Sequence, residues 1–184
     1  MNPNNKPETK EQDLAPDESR TRLRAALGEF STMMVATYDK KGKHPHLQAR
    51  PMFVAKVEDD GSLVFVTRLE DHNPNNGEKR SEDGTVIAQS MTRQISMTGT
   101  IEFSNDRQKI AELWKLPFNL FFGQGGKDDP DVALMIFHPR DAELWDLSGK
   151  NGLKFLFDAA KSLIQSKTPE LTGDQHEKMK LHRA

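Results

Sequence analysis

The chain of 184 residues contains no cysteine, no long apolar run and no excess of either charge, and each absence removes a class of protein. Without cysteine there are no disulfides, no thiolate nucleophile and no Cys-based zinc site. No stretch approaches the ~20 apolar residues that span a bilayer as a helix, and the first 18 residues lack the apolar core of a signal peptide. A cytoplasmic location and no membrane partner are therefore expected. The 26 basic and 28 acidic residues leave a formal charge of −2, without the positive field that draws proteins to phosphate backbones, so nucleic acid is not expected as a partner. Nucleotide and hydrolase signatures are missing too. The run Gly123-Gln124-Gly125-Gly126 lacks the third glycine of G-x-G-x-x-G, Lys127 has no P-loop glycine upstream, and no G-x-S-x-G elbow occurs.

What is present is an apolar content of 35%, concentrated in segments with clear periodicity. Residues 1–18 are Pro-, Asn-, Glu- and Lys-rich and read as a flexible arm that cannot offset its own ordering entropy. From Ser19, read as a cap, Leu23, Ala26, Leu27 and Phe30 recur at helical spacing. Extended runs follow at 32–37, 47–57 and 63–67, separated by turn-forming Asp39 to Gly42 and Glu58 to Gly61. Residues 69–85 read as a long surface loop, and 86–91 as a further strand. Residues 94–103 alternate strictly, with Ile95, Met97, Gly99, Ile101 and Phe103 on one face. Asn105 or Asp106 can cap a helix carrying Ile110, Leu113 and Trp114 that ends before Pro117. An aromatic then glycine-rich connection over 118–131 leads to two strands, 132–137 and 142–147. A last amphipathic helix carries Leu153, Leu156, Phe157, Ala160, Leu163 and Ile164. The expected organisation is one domain over 19–167 followed by a polar tail, 168–184. Meander-ordered strands with few helices give a β-rich α+β fold, an antiparallel barrel or sandwich.

His44-Pro45-His46 could offer two imidazoles to a metal, but no third ligand is nearby in sequence, so no metal site is expected. Acidic runs such as Glu58-Asp59-Asp60 sit at turns, where capping is commoner than acid–base catalysis. One constellation goes further. It comprises Gln48-Ala49-Arg50-Pro51-Met52, Phe65-Val66-Thr67, the strand of residues 93–102 with Gln94 near its start, and Glu143-Leu144-Trp145-Asp146. With the helix ending in Trp114 and the Phe121 to Asp131 loop, this order resembles the pyridoxamine 5′-phosphate oxidase-like FMN-binding split barrels, most closely their bacterial general stress protein branch.

The resemblance implies a split antiparallel barrel with short flanking helices, and a homodimer with FMN at its interface. It implies Arg50 as a phosphate ligand, for which a guanidinium fork is well suited. Pro51, Met52, Val66, Thr67 and Gln94 lie where the family holds the flavin's polar edge, and Trp145 is the candidate aromatic wall, with Trp114, Phe121 and Phe122 as further aromatics. Beyond Thr67, relatives carry Arg-Lys or Ser-Pro-Lys, whereas this chain has Asp71-His72-Asn73-Pro74. That departure leaves His72 and Asn73 as the local donors, with Lys56, Lys79 or Arg80 as possible substitutes, and leaves FAD or another flavin open beside FMN. The implied activity is an FMN-dependent oxidoreductase acting on a small-molecule redox substrate that is unknown. The alternative is a non-catalytic flavin-binding, storage or stress-response protein.

Overall fold

The computed structural model describes residues 16–39, 46–69, 81–147 and 176–180. Helix α1, Pro16–Leu27, starts on a proline, whose missing N–H is one of the four that a first helical turn leaves without an intrahelical partner. Ser19 is therefore not its cap: it lies inside the helix and is buried. Leu23, Ala26 and Leu27 share one face and pack into the main core. Strands β1 (Thr32–Asp39), β2 (His46–Val57), β3 (Leu63–Arg68), β4 (Ser81–Gln89), β5 (Arg93–Ser104), β6 (Val132–Asp146) and β7 (His176–Lys180) form one sheet in the order β3-β2-β1-β4-β5-β6-β7. Every ladder is antiparallel, and a further pairing of β3 with β6 closes six of the strands into a barrel. Strand β7 adds to the outside edge of β6 over residues 141–145.

The barrel interior is filled by Met33, Val35, Phe65, Val86, Ile95, Met97, Ile101, Phe137 and Leu144, with α1 across it. A second apolar layer lies outside, where Val64, Val66, Val132 and Leu134 meet Ile110, Phe118 and Phe122. This explains why β3 reads as an unbroken apolar run: Leu63 and Phe65 point inward, and Val64 and Val66 point outward under the helices. The layer comprises α2 (Arg107–Leu113), a 3₁₀ turn (Leu116–Phe118), α3 (Asn119–Phe122) and a second 3₁₀ turn (Gly123–Asp128). Of the two capping candidates, Asp106 caps α2, its Oδ1 accepting from the Lys109 amide at 3.0 Å.

The connection expected over 118–131 is thus a string of helical turns. Turns this short do not hold themselves. Two arginines tie them down. Arg107 donates to the carbonyls of Val132 (2.8 Å), Asp129 (3.1 Å) and Lys127, and Arg68 donates to the Phe122 carbonyl (2.9 Å) and Asp129 Oδ2 (2.8 Å).

Three further expectations change. Strand β4 starts at Ser81, so residues 81–85 leave the expected loop: the Ser81↔Glu102 to Thr85↔Thr98 rungs hold them to β5. The expected strands 132–137 and 142–147 are one strand, β6, bent where Pro139 meets Gly99 and the register with β5 shifts. Proline lacks the ladder donor, which marks a break in the sequence but here only bends the strand. The segment read as a polar tail contributes β7. The helix expected around 153–164 lies outside the described residues, as does the loop of residues 70–80. No described helix is long and apolar enough to cross a membrane.

Candidate functional site

Among the described residues the barrel is open along one seam. Residues 46–53 of β2 pair with β1, but the β2–β3 ladder covers only Val54 to Val57, with a bulge between Val54 and Lys56. Lys115 Nζ donates to the Val54 carbonyl (3.2 Å), bracing the helical layer against that bulge. Among the described residues no strand faces the first eight positions of β2 on the side away from β1. Arg50, Pro51 and Met52 flank one side of the resulting split, and Val66 and Thr67 at the end of β3 flank the other. Five of the nine expected site residues are thus gathered around one opening.

Their roles differ by exposure. Arg50 and Pro51 are exposed and Thr67 is half-buried. Met52 is buried in the main core and Val66 in the outer layer, so their side chains are occupied in packing and only their backbones remain for a ligand. Arg50 shares its face with Met52 and, across the β1 rung, with Val35. Its Nη2 donates to Gln48 Oε1 (3.0 Å), which leaves the Nε and Nη1 hydrogens for an anion.

Gln94 and Trp145 form a second group. They are register partners on β5 and β6, next to the Arg93↔Asp146 rung. Arg93 is clamped by Asp146 (Nη2 at 2.8 Å, Nε at 3.2 Å) and by Glu29, which follows α1. Burial works against the Arg93 charge, but the hydrogen bonds it donates to Asp146 and Glu29 outweigh that and hold its pKa above the ordinary arginine value. This clamp had no signal in the sequence, because its partners are 64 and 53 positions away from Arg93.

The two groups do not meet within one chain. From Arg50 the sheet runs through Val35 and Val86 to Met97, three strand steps away, and Gln94 lies three residues further along. At ordinary sheet spacings that is roughly 17 Å. Arg50 also stands on the Val35–Met97 face, whereas Gln94 alternates with Ile95 and stands on the other. The two groups therefore stand on opposite faces of one sheet.

Other expectations are placed elsewhere. Lys56 lies beyond the β2 bulge, six residues from Arg50, and pairs with Glu58 at 2.6 Å; that bond and charge hold its pKa above the ordinary lysine value. It is not a substitute phosphate ligand. Trp114 and Phe122 pack in the outer layer and are not free to wall a ligand. Phe121 is 60% exposed and leans on Phe53, ring centroids 4.9 Å apart. His72, Asn73, Lys79, Arg80 and His44 lie outside the described residues; among the described residues no cluster of three or more metal-binding side chains occurs. A line of Ser62, His138 and Glu102 imitates a catalytic triad, with Ser62 Oγ 2.9 Å from His138 Nδ1. Ser62 is buried and Glu102 stands 3.7 Å from Nε2, too far for a hydrogen bond, so the line is a staple between the 58–62 turn and β6.

A six-stranded split barrel with a helical outer layer is the class this architecture defines. The family model described as pyridoxamine 5′-phosphate oxidase like matches residues 18–170, and the chain belongs to that family. Among solved structures, one named for general stress protein 26 from Jannaschia sp. CCS1 is 23% identical, with a TM-score of 0.62 over 89% of this chain and 98% of its own. A general stress family protein from Xanthomonas campestris is 25% identical (TM-score 0.53; 72% and 90% covered). The general stress FMN/FAD binding protein from Xanthomonas citri is 24% identical (TM-score 0.52; 70% and 89% covered). Comparison with curated proteins yields no match.

Proposed function

We propose that this protein is a flavin-binding general stress protein that works as a homodimer, with FMN held between the subunits, and that it is an FMN-dependent oxidoreductase. The observation that carries the reading is the open split with Arg50 at its mouth. Arg50 offers charge-assisted donors to a terminal phosphate, and Thr67 with the backbone at Pro51 and Met52 offers partners to a polar ring edge. Gln94 and Trp145 supply an amide and an indole, a donor set that fits a heteroaromatic ring. Because they stand on the opposite face, one chain does not complete the site. A second copy of the chain supplies the missing half.

The same sheet face supports the dimer. Met34 lies between Pro51 and Ile87, and Tyr38 is paired with Leu47; Met34, Tyr38, Leu47 and Ile87 are 38–65% exposed, with Ala36 and Ala49 between them. A contiguous apolar surface on a β-sheet face is the kind that a symmetric partner covers. A bound flavin would supply the electron transfer, while this chain's residues bind it, orient it and exclude water. The cytoplasm is proposed as the setting, which cell fractionation tests.

The decisive experiment is an absorption spectrum of the purified protein, with mass analysis of the small molecule released on denaturation and titration with FMN and FAD. Arg50→Ala is expected to weaken FMN by about 10- to 100-fold, the loss of a charge-assisted bond. Protein that is colourless and takes up neither flavin refutes the reading. A second reading, flavin storage without turnover, has one observation in its favour: Arg50, Met52, Val66 and Thr67 around the split are binding groups rather than acid–base groups. Steady oxidation of NADH or NADPH with a flavin or quinone acceptor decides against storage.

A further inference from the structure

Resting on the flavin reading above, we propose that Gln48 is a positioning residue for Arg50, oriented in its turn by His46. The three alternate along β2, so they stand on one face and continue outward the line begun in the core by Val54 and Met52. Opposite them on β1 stand Asp39, Thr37 and Val35. Arg50 Nη2 donates to Gln48 Oε1 at 3.0 Å, and Gln48 Nε2 lies 3.2 Å from His46 Nε2.

The direction of every bond in this relay follows from the arginine. A guanidinium has no acceptor, so the Gln48 oxygen faces Arg50 and the amide NH₂ faces His46. That NH₂ has only donors, so His46 Nε2 accepts and its proton sits on Nδ1. The chain thus holds one end of a long, exposed cation in place before any anion arrives. An arginine so restrained loses less rotamer freedom on binding a phosphate, which raises affinity without a new contact to the ligand. The histidine that suggested half of a metal site in the sequence acts here as a member of a hydrogen-bonded relay.

The test compares FMN with riboflavin, which lacks the phosphate, in fluorescence titrations of the full chain. Gln48→Met keeps the side-chain length and removes the acceptor. It is expected to weaken FMN about three- to tenfold and leave riboflavin unchanged, with no further loss in an Arg50→Ala background. Equal losses for both ligands, or a loss that persists without Arg50, overturn the proposal. A second readout needs no ligand: ¹⁵N spectra of the neutral imidazole should show the Nδ1–H form of His46 in the wild type and a shift toward Nε2–H in Gln48→Met. A wild type already in the Nε2–H form overturns the relay. A wild type that binds no FMN sinks the flavin reading, and the tautomer then decides the relay alone.

Discussion

Gly99 stands where β5 passes the bend of β6, and replacing it with alanine tests how closely those two strands approach. A Cβ there would lie 2.1 Å from the His138 carbonyl oxygen, 2.9 Å from its carbon and 3.0 Å from Phe137 Cζ. Ordinary C···O contacts begin near 3.3 Å, so the new carbon is on the order of 1 Å too close. The two nearest blocking atoms are backbone, fixed on β6 beside Pro139, so a strand must move. Overpacking typically costs about 1–3 kcal/mol, and a clash with backbone belongs at the upper end, ~3 kcal/mol. For a domain of this size that lowers Tm by about 6–12 °C. Gly84 is the internal control. Its Cβ would meet Ile101 Cδ1 at 2.4 Å, the far end of a side chain that can rotate or be shortened. Gly84→Ala should cost less, and Ile101→Val should recover part of that cost in the double variant. Circular-dichroism melts of the four proteins decide it. A Gly99→Ala melt within about 2 °C of wild type, or a Gly84→Ala cost indifferent to Ile101→Val, refutes the packing.

Cutting the clamp with Arg93→Met leaves Asp146 half-buried without its partner and should cost about 2–3 kcal/mol, read by urea unfolding. The folded Arg93 pKa is raised, so its stabilisation is fully present below the unfolded arginine value and is lost only as pH rises through the higher folded one. Arg93→Lys brings that loss into reach, and its gap from wild type should widen above about pH 10, near the lysine value. Asp106→Ala removes the α2 cap and should cost about 1 kcal/mol, a shift of a few degrees in the same melts. Ile87→Lys puts a charge in the exposed apolar face and is expected to convert the proposed dimer to monomer in sedimentation at unchanged far-UV spectrum; an unaltered mass places the interface elsewhere.

Local pattern carried much of the fold. The 3.6-residue spacing of Leu23 and Leu27, the strict alternation of β5 from Ile95 to Ile101 and the capping aspartate before α2 each depend on neighbours a few positions away. The motif around Arg50 and the Val66-Thr67 strand end were legible for the same reason, and they do flank one opening. The elements that were misread depend on distant partners. Residues 81–85 look like loop because Asp83 and Gly84 break the apolar pattern. They are strand because β5 on one side and, from Gly84, β1 on the other supply ladder partners. Strand β7 carries Met179 as its one apolar residue and exists as a strand only along the edge of β6.

By itself the sequence determined which segments are amphipathic and with what period, and it carried the residues on which the family resemblance rests. It could not say on which side of the sheet each stands relative to another. Arg50 and Gln94 read as members of one set, and only the registers of β2 with β1, β1 with β4 and β4 with β5 put them on opposite faces, because face is decided by strand order and register. The seam beside Arg50 is tertiary too: the β2–β3 ladder stops at Val54, so among the described residues nothing pairs with residues 46–53 on that side, and the proposed site takes its second half from another chain.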